Sequence, residues 1–360
     1  MVRLSAHGTS TFSKINGLRA FCAIYVCCHH VSQMIPLGNV ARVLLSFGQE
    51  AVIIFFLLSG YVIWISEVER RHRFSTGRYY ARRFLRIYPT LLVSLAITYL
   101  VASIFSTSTR TDLGTLLGNL AGWQDSIGLK PGVFVGPFGG NAPLWSLSYE
   151  LVFYAIFPAA LKLHRILGNG LNHFIGIWSL LSMCAFGIEP NHFTLMLSYF
   201  IIWWTGTALA RYKQLNTDTK PIYVLASYML AVGLLATTTC NHFHFSSLGV
   251  WPLLGLRHFS SAAFFSLAAV FATRAWSRWS LGPKTSKFLD GLANSSYGIY
   301  LFHYPILILT GAYKNPFHLL IGAVALGIFS HVFDAKLSAL VRRKCSGFSH
   351  RRSQKNLVAE

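Results

Sequence analysis

An all-α, polytopic membrane bundle of about ten transmembrane helices, with both termini in the cytoplasm, is the fold class this sequence predicts. Composition is the first reason: hydrophobic residues make up 53% of the 360 and charged ones 12%, a balance that water-soluble domains rarely carry. Spacing is the second. Apolar runs close to the twenty or so residues that cross about 30 Å of hydrocarbon fall near 17–36, 47–66, 87–106, 146–163, 172–187, 192–210, 221–238, 259–274, 293–311 and 317–334. Charge placement is the third: all but five of the 31 Lys and Arg sit at the N-terminus, in the even-numbered loops or in the tail, the exceptions being Arg42, Arg110, Lys130, Arg257 and Lys314. Cytoplasmic loops retain basic residues in this way. The net charge of +20 therefore reports topology and contact with membrane lipid headgroups, and no nucleic acid is required to explain it.

The first run, from Ile15-Asn16-Gly17-Leu18-Arg19 to His29-His30, reads as a mature helix, because no small-residue cleavage site follows it. Eleven helical residues advance about 16 Å and close nearly three turns, so Arg19 and His30 share one face at two depths. Polar groups at membrane depth face a protein interior or a wet cavity. His29 points away from that face, which favours His30, although a structural pair of histidines stays open.

In the second run, Gly48-Gln49-Glu50 leads to Phe55-Phe56-Leu57-Leu58-Ser59-Gly60-Tyr61, and the small Ser-Gly pair lets a neighbouring helix or a ligand approach the backbone. Arg82-Arg83-Phe84-Leu85-Arg86-Ile87-Tyr88-Pro89 opens the third. Arg83 and Arg86 lie three apart on one face, and guanidinium forks at an inner surface suit either the phosphates of a nucleotide-bearing donor or anionic lipid. The fourth begins Trp145-Ser146-Leu147-Ser148-Tyr149-Glu150 and holds Glu150 as its one acid. That carboxylate must be paired or wet: it could orient a histidine, act as a base, bind acceptor hydroxyls or pair with an arginine. Tyr297-Gly298-Ile299-Tyr300-Leu301-Phe302-His303-Tyr304-Pro305 gives the ninth a second intramembrane histidine beside a helix-kinking proline.

Between the runs, Gly and Pro in the stretch 107–145 mark irregular backbone, an ordered lid or a flexible connector. The stretch 239–258, with His242-Phe243-His244 and Trp251-Pro252, suits a re-entrant or interfacial piece. Cysteines at 22, 27, 28, 184, 240 and 345 form no CxxC or zinc spacing, so no metal and no disulfide framework is expected. With no polar linker, residues 1–336 read as one transmembrane domain and 337–360 as a basic cytoplasmic tail.

Taken in order, Arg-x10-His, FFLLSGY, RRFLRIYP, PLWSLSYE and SYGIYLFHYP resemble the membrane-bound acyltransferase 3 family, integral membrane O-acyltransferases of glycans, over about residues 12–310. The resemblance implies a transferase in a bacterial inner membrane that moves an acyl group, most simply acetyl from acetyl-CoA, to a glycan or lipid-linked saccharide. It implies His30 as base or acyl relay with Arg19 and Glu150 as catalytic partners, Arg83, Arg86, Ser59 and Gly60 as donor contacts, and Glu50, Trp145, Ser148 and His303 as acceptor contacts. Two positions depart: the family usually writes acids where this chain has Asn16 and Tyr149. Many relatives continue into an extracytoplasmic esterase-like domain where this text ends, so the expectation is an enzyme that acts alone or hands its product to a partner. A glycolipid or polysaccharide transporter or flippase is the alternative, since polar residues in a multi-span bundle also describe a path.

Overall fold

The apolar runs become helices, because a backbone in hydrocarbon must satisfy its own hydrogen bonds. The computed structural model describes residues 6–69, 74–105, 110–215, 218–239, 248–278, 280–337 and 340. The basic cluster Arg70-Arg71-His72-Arg73, the pair His242 and His244, Cys240, Cys345 and nearly all of the tail lie outside them. In chain order the helices are α1 (Ala6–Ser32), α2 (Asn39–Leu44), α3 (Gly48–Trp64), α4 (Thr76–Ile104), α5 (Leu113–Ala121), α6 (Trp145–Leu167), α7 (Gly170–Ile188), α8 (His192–Leu215), α9 (Lys220–Thr238), α10 (Leu253–Arg278), α11 (Pro283–Asn294), α12 (Ser296–His303) and α13 (Pro316–Phe329). No strand occurs among the described residues.

Eight of the described helical stretches are long and apolar enough to cross a membrane: those containing α3, α4, α6, α7, α8, α9, α10 and α13. The other two expected spans differ for visible reasons. α1 is long, but Ser13, Lys14, Asn16, Arg19 and the two histidines dilute its hydropathy. The ninth is the shorter stretch Ser296–Leu309, in which α12 passes at Pro305 into a wider turn over Tyr304–Leu309. The third span also begins earlier than its apolar text: α4 starts at Thr76, so Arg82, Arg83 and Arg86 lie within it. Large exposed apolar side chains such as Phe21, Leu100, Leu181, Leu234, Phe271 and Ile328 cover the outside of the bundle, as lipid contact requires.

Helix α3 is the central post, packed on α1, α8 and α10, while α7 and α9 close around α8. Its contact with α8 is set by two glycines. A Cβ at Gly60 would lie 2.0 Å from the Trp203 carbonyl oxygen, and one at Gly206 would lie 2.0 Å from that of Leu57. Neither approach admits a side chain. Trp203, Trp204, Phe153, Phe157 and Tyr199 are fully buried beside this crossing.

From residue 110 onward, the segment that leads to α6 is an ordered lid. Asp112 caps α5 by accepting from the Thr115 amide at 2.9 Å, and Gly122 ends it at φ 76°. Asn119 then clamps the returning chain, accepting from the Phe138 amide and donating to the Gly136 carbonyl, each at 3.0 Å. Under this lid Asp125 is fully buried, and Lys130 Nζ donates to both of its oxygens at 3.0 Å. Tyr149 Oη donates to Asp125 Oδ2 at 2.7 Å, and His192 Nε2 lies 3.2 Å from the same atom. Burial alone would raise the Asp125 carboxyl, but the Lys130 ammonium and these donors outweigh it and hold it at about 2.

Two outcomes are expected. Gly60→Ala should destabilise by ~1–3 kcal/mol through overpacking against α8, read as a lower thermal midpoint of the detergent-purified protein. An aspartate held below its ordinary ~3.9 stabilises fully above about pH 4 and loses that contribution as pH falls toward about 2. Lys130→Met, which strands the buried carboxylate, should cost ~3–5 kcal/mol and expose residues 122–141 to protease, and this loss should shrink at low pH.

Candidate active site

Between α1, α3, α4, α6 and α12 lies a cavity of about 280 Å³. Its polar lining brings together Arg19, Ser59, Arg83, Arg86, Glu150 and Tyr154, and its apolar wall includes Val52, Phe55, Leu58 and Ile87. Five of the eleven residues expected from the sequence therefore meet here, from four separate helices.

The arginines are held from the side by acids that the motif reading did not include. Glu67, 1% exposed in the turn that continues α3, pairs with Arg82 and also accepts from Arg83 Nη2 at 3.1 Å. Asp334, buried in the turn that continues α13, pairs with Arg86 and accepts the Gly298 amide at 2.9 Å. Each acid thus fixes a guanidinium and ties a distant segment to α4. Among the described residues, buried Arg83 Nε has no hydrogen-bond partner and none hydrogen-bonds or ion-pairs with Arg19. The lining consequently keeps unused N–H donors, which suits an incoming oxyanion.

Glu150 makes no ion pair with an arginine among the described residues. It accepts from Ser59 Oγ at 3.0 Å and from the Tyr154 hydroxyl, and Ser59 in turn meets Tyr154 Oη at 3.1 Å. The small residue beside it behaves differently: Gly60 faces the backbone of α8 and lies off the cavity lining.

At the far wall Tyr300 donates to the Pro143 carbonyl and meets Ser146 Oγ, both at 2.9 Å. Its ring lies 6.2 Å from that of His303. His303 and His30 lie beyond that wall and meet each other directly, Nε2 to Nδ1, at 3.0 Å. Their partners assign the protons of the neutral rings. His303 Nδ1 lies 3.1 Å from the Ile299 carbonyl, which can only accept, so Nδ1 carries the hydrogen and Nε2 is bare. That bare nitrogen needs a donor, so His30 carries its hydrogen on Nδ1, shared with the Val26 carbonyl at 3.0 Å. His30 Nε2 is left with an unshared pair and no hydrogen-bond partner among the described residues. Such an imidazole is equipped to take a proton or to attack a carbonyl.

The remaining expected residues lie toward the lid. Glu50 is spent on a two-pronged pair with Arg257, at 2.6 and 2.7 Å. Trp145 lies under the Lys130 ammonium, 3.9 Å from its ring centroid, and buried Ser148 donates back to the Trp145 carbonyl at 2.8 Å. Both positions that depart from the resemblance find an acid elsewhere. Asn16 donates to Asp290 Oδ1 of α11 at 2.8 Å, and Tyr149 donates to Asp125 of the lid. The signal for these partners was the scarcity of acids, since only eleven Asp and Glu face 31 Lys and Arg.

Comparisons with known proteins identify the family. The chain is 33% identical over 165 residues to the acyltransferase MdmB of Streptomyces mycarofaciens, covering 42% of this chain and 39% of that protein. It is 23% identical over 329 residues to the O-acetyltransferase OatA of Staphylococcus aureus, covering 83% and 51%. It is 24% identical over 345 residues to the peptidoglycan O-acetyltransferase OatA of Listeria monocytogenes, covering 86% and 51%. The chain thus spans about half or less of the length of the curated relatives it matches. No solved structure matches it. The acyltransferase domain that defines the acyltransferase 3 family matches residues 12–333, nearly the whole described bundle, and the chain belongs to that family.

Proposed function

We propose that this protein is an integral membrane O-acyltransferase that moves an acetyl group from acetyl-CoA, presented from the cytoplasm, to a glycan hydroxyl on the other side. The single observation that carries the reading is the proton assignment at His30, whose Nε2 is bare because His303 takes the hydrogen bond from Nδ1. Family membership and the O-acetyltransferase relatives support the reaction class. The basic bias of the even-numbered loops supports the cytoplasmic placement of the arginine end.

In this reading the donor's phosphates lie on the N–H groups that Arg83 and Arg86 do not give to Glu67 and Asp334, and Arg19 faces the thioester oxygen as negative charge develops there. His30 Nε2 removes the proton of the acceptor hydroxyl, the oxygen attacks the thioester carbon, the C–S bond breaks, and the CoA thiolate is protonated as the ester forms. A two-step version, in which the imidazole carries the acyl group across, uses the same bare nitrogen. His303 acts as a positioning residue by fixing which nitrogen of His30 is bare.

His30→Ala should lower CoA release from acetyl-CoA by ~10²–10⁴-fold while the protein still inserts and elutes as wild type; normal turnover would remove the mechanism. His303→Ala should cost about tenfold, the size of one lost hydrogen bond, and His303→Gln, which keeps an acceptor for Nδ1–H, should recover part of it. The double variant Arg83→Gln, Arg86→Gln should raise the donor KM much more than the acceptor KM. An unchanged donor KM would assign the pair to lipid contact.

A further inference from the structure

A second cavity, of about 400 Å³, opens at the lid end of the bundle where the C-terminal end of α1 meets α2, α3 and α10. His29, Gln33, Arg42, Ser46, Gln49 and Arg257 line it. None belongs to the inner cavity, and none was singled out from the sequence as a site. We propose that this is the acceptor subsite, and that it takes a sugar bearing an oxyanion, a carboxylate or a phosphate, which Arg42 reads. The proposal rests on the transferase reading above and specifies its acceptor.

Position is the first argument. His29 forms part of the wall, and its ring centroid lies 5.2 Å from that of His30. A hydroxyl bound here is therefore one ring away from the proposed base, on the side opposite the arginine-lined cavity.

Hydrogen-bonding capacity is the second. His29 Nδ1 lies 2.6 Å from the Leu45 carbonyl and must donate to it, so Nε2 accepts from the Gln33 amide nitrogen at 3.1 Å. Among the described residues no donor meets the Gln33 carbonyl oxygen. At the other wall, Gln49 Oε1 lies 2.9 Å from His258 Nε2, and His258 Nδ1 meets the Tyr199 hydroxyl at 2.8 Å. With Tyr199 donating, His258 donates to Gln49, and the Gln49 NH₂ meets no acceptor among the described residues. One free amide acceptor and one free amide donor are what a sugar ring with adjacent hydroxyls requires.

Charge is the third. Arg257 is neutralised by Glu50 and also donates to the Leu248 carbonyl at 3.1 Å. Among the described residues the Arg42 guanidinium makes no hydrogen bond or ion pair, so the described lining carries one unanswered cation at its rim. A purely neutral acceptor would leave that guanidinium unused, whereas an oxyanion beside the reacting hydroxyl would pair with it in the bidentate manner arginine favours.

The test is calorimetric titration of the detergent-purified full chain with three probes: a glucuronate-terminated disaccharide, the matching glucose-terminated disaccharide and a short-chain prenyl diphosphate sugar. The two anionic probes report the two sources of the oxyanion, and tighter binding of either by tenfold or more over the neutral one, weakening with added salt, is the expected result. Arg42→Gln should erase that difference, Arg42→Lys should retain part of it, and Arg110→Gln, a charge loss on the lid and outside the cavity lining, should leave it intact. Equal binding of all three probes, no binding of any, or a preference that survives Arg42→Gln would overturn the assignment. CoA release from acetyl-CoA in the same preparation judges the transferase reading separately. Release without an anion preference removes the subsite alone, and a preference lost with Arg42 but without release removes the reaction alone.

Discussion

A charge in hydrocarbon is costly unless another charge or a set of dipoles answers it, and the placement of this chain's few acids follows from that constraint. Glu67 and Asp334 answer Arg82, Arg83 and Arg86, Glu50 answers Arg257, and Asp125 answers Lys130. All but the Asp125–Lys130 pair also join separate helices: the end of α3 to α4, the end of α13 to α4, and α3 to α10. Electrostatic pairing thus decides where helices that are interchangeable by hydropathy must sit. Glu150 is answered differently: among the described residues two hydroxyls and no cation meet it, which leaves it beside Arg19 without tying that guanidinium down.

The same constraint separates two compartments. The inner one concentrates guanidinium groups already restrained by acids, so an anionic ligand meets donors that are pre-oriented and need little reorganisation. The outer one holds amides whose roles are fixed by histidines behind them. Between the two stand His303, His30 and His29, linked by a hydrogen bond and a ring contact. Their proton placement follows from the backbone carbonyls of Ile299, Val26 and Leu45, the last in the turn after α2.

Much of the fold was legible because hydropathy and length are local properties. All ten expected spans correspond to helices, and the boundaries that differ do so where polar residues extend a helix past its apolar text, as at Arg82–Arg86 in α4. Of the site, Arg19, Ser59, Arg83, Arg86 and Glu150, named together through the family resemblance, line one cavity, while their partners were not legible. Nothing in the spacing around Asp334 ties it to Arg86, 248 residues away, because that pairing exists only once α13 has packed. Gly60 illustrates a different limit: a glycine reads alike whether a ligand or a helix occupies the space beside it, and here the space belongs to α8.

That glycine sits one residue from Ser59, and adjacent residues on a helix point about 100° apart. With Gly60 locked against Trp203 and Gly206 against Leu57, α3 has a single permitted rotational phase about its axis, and at that phase Ser59 faces Glu150. The residue that aims the polar side chain is thus its neighbour that has none. A one-residue insertion anywhere in α3 between that crossing and Glu50 would leave Ser59 in place but swing the Glu50 end away from Arg257, so the helix acts as a keyed shaft joining the geometry of the two cavities.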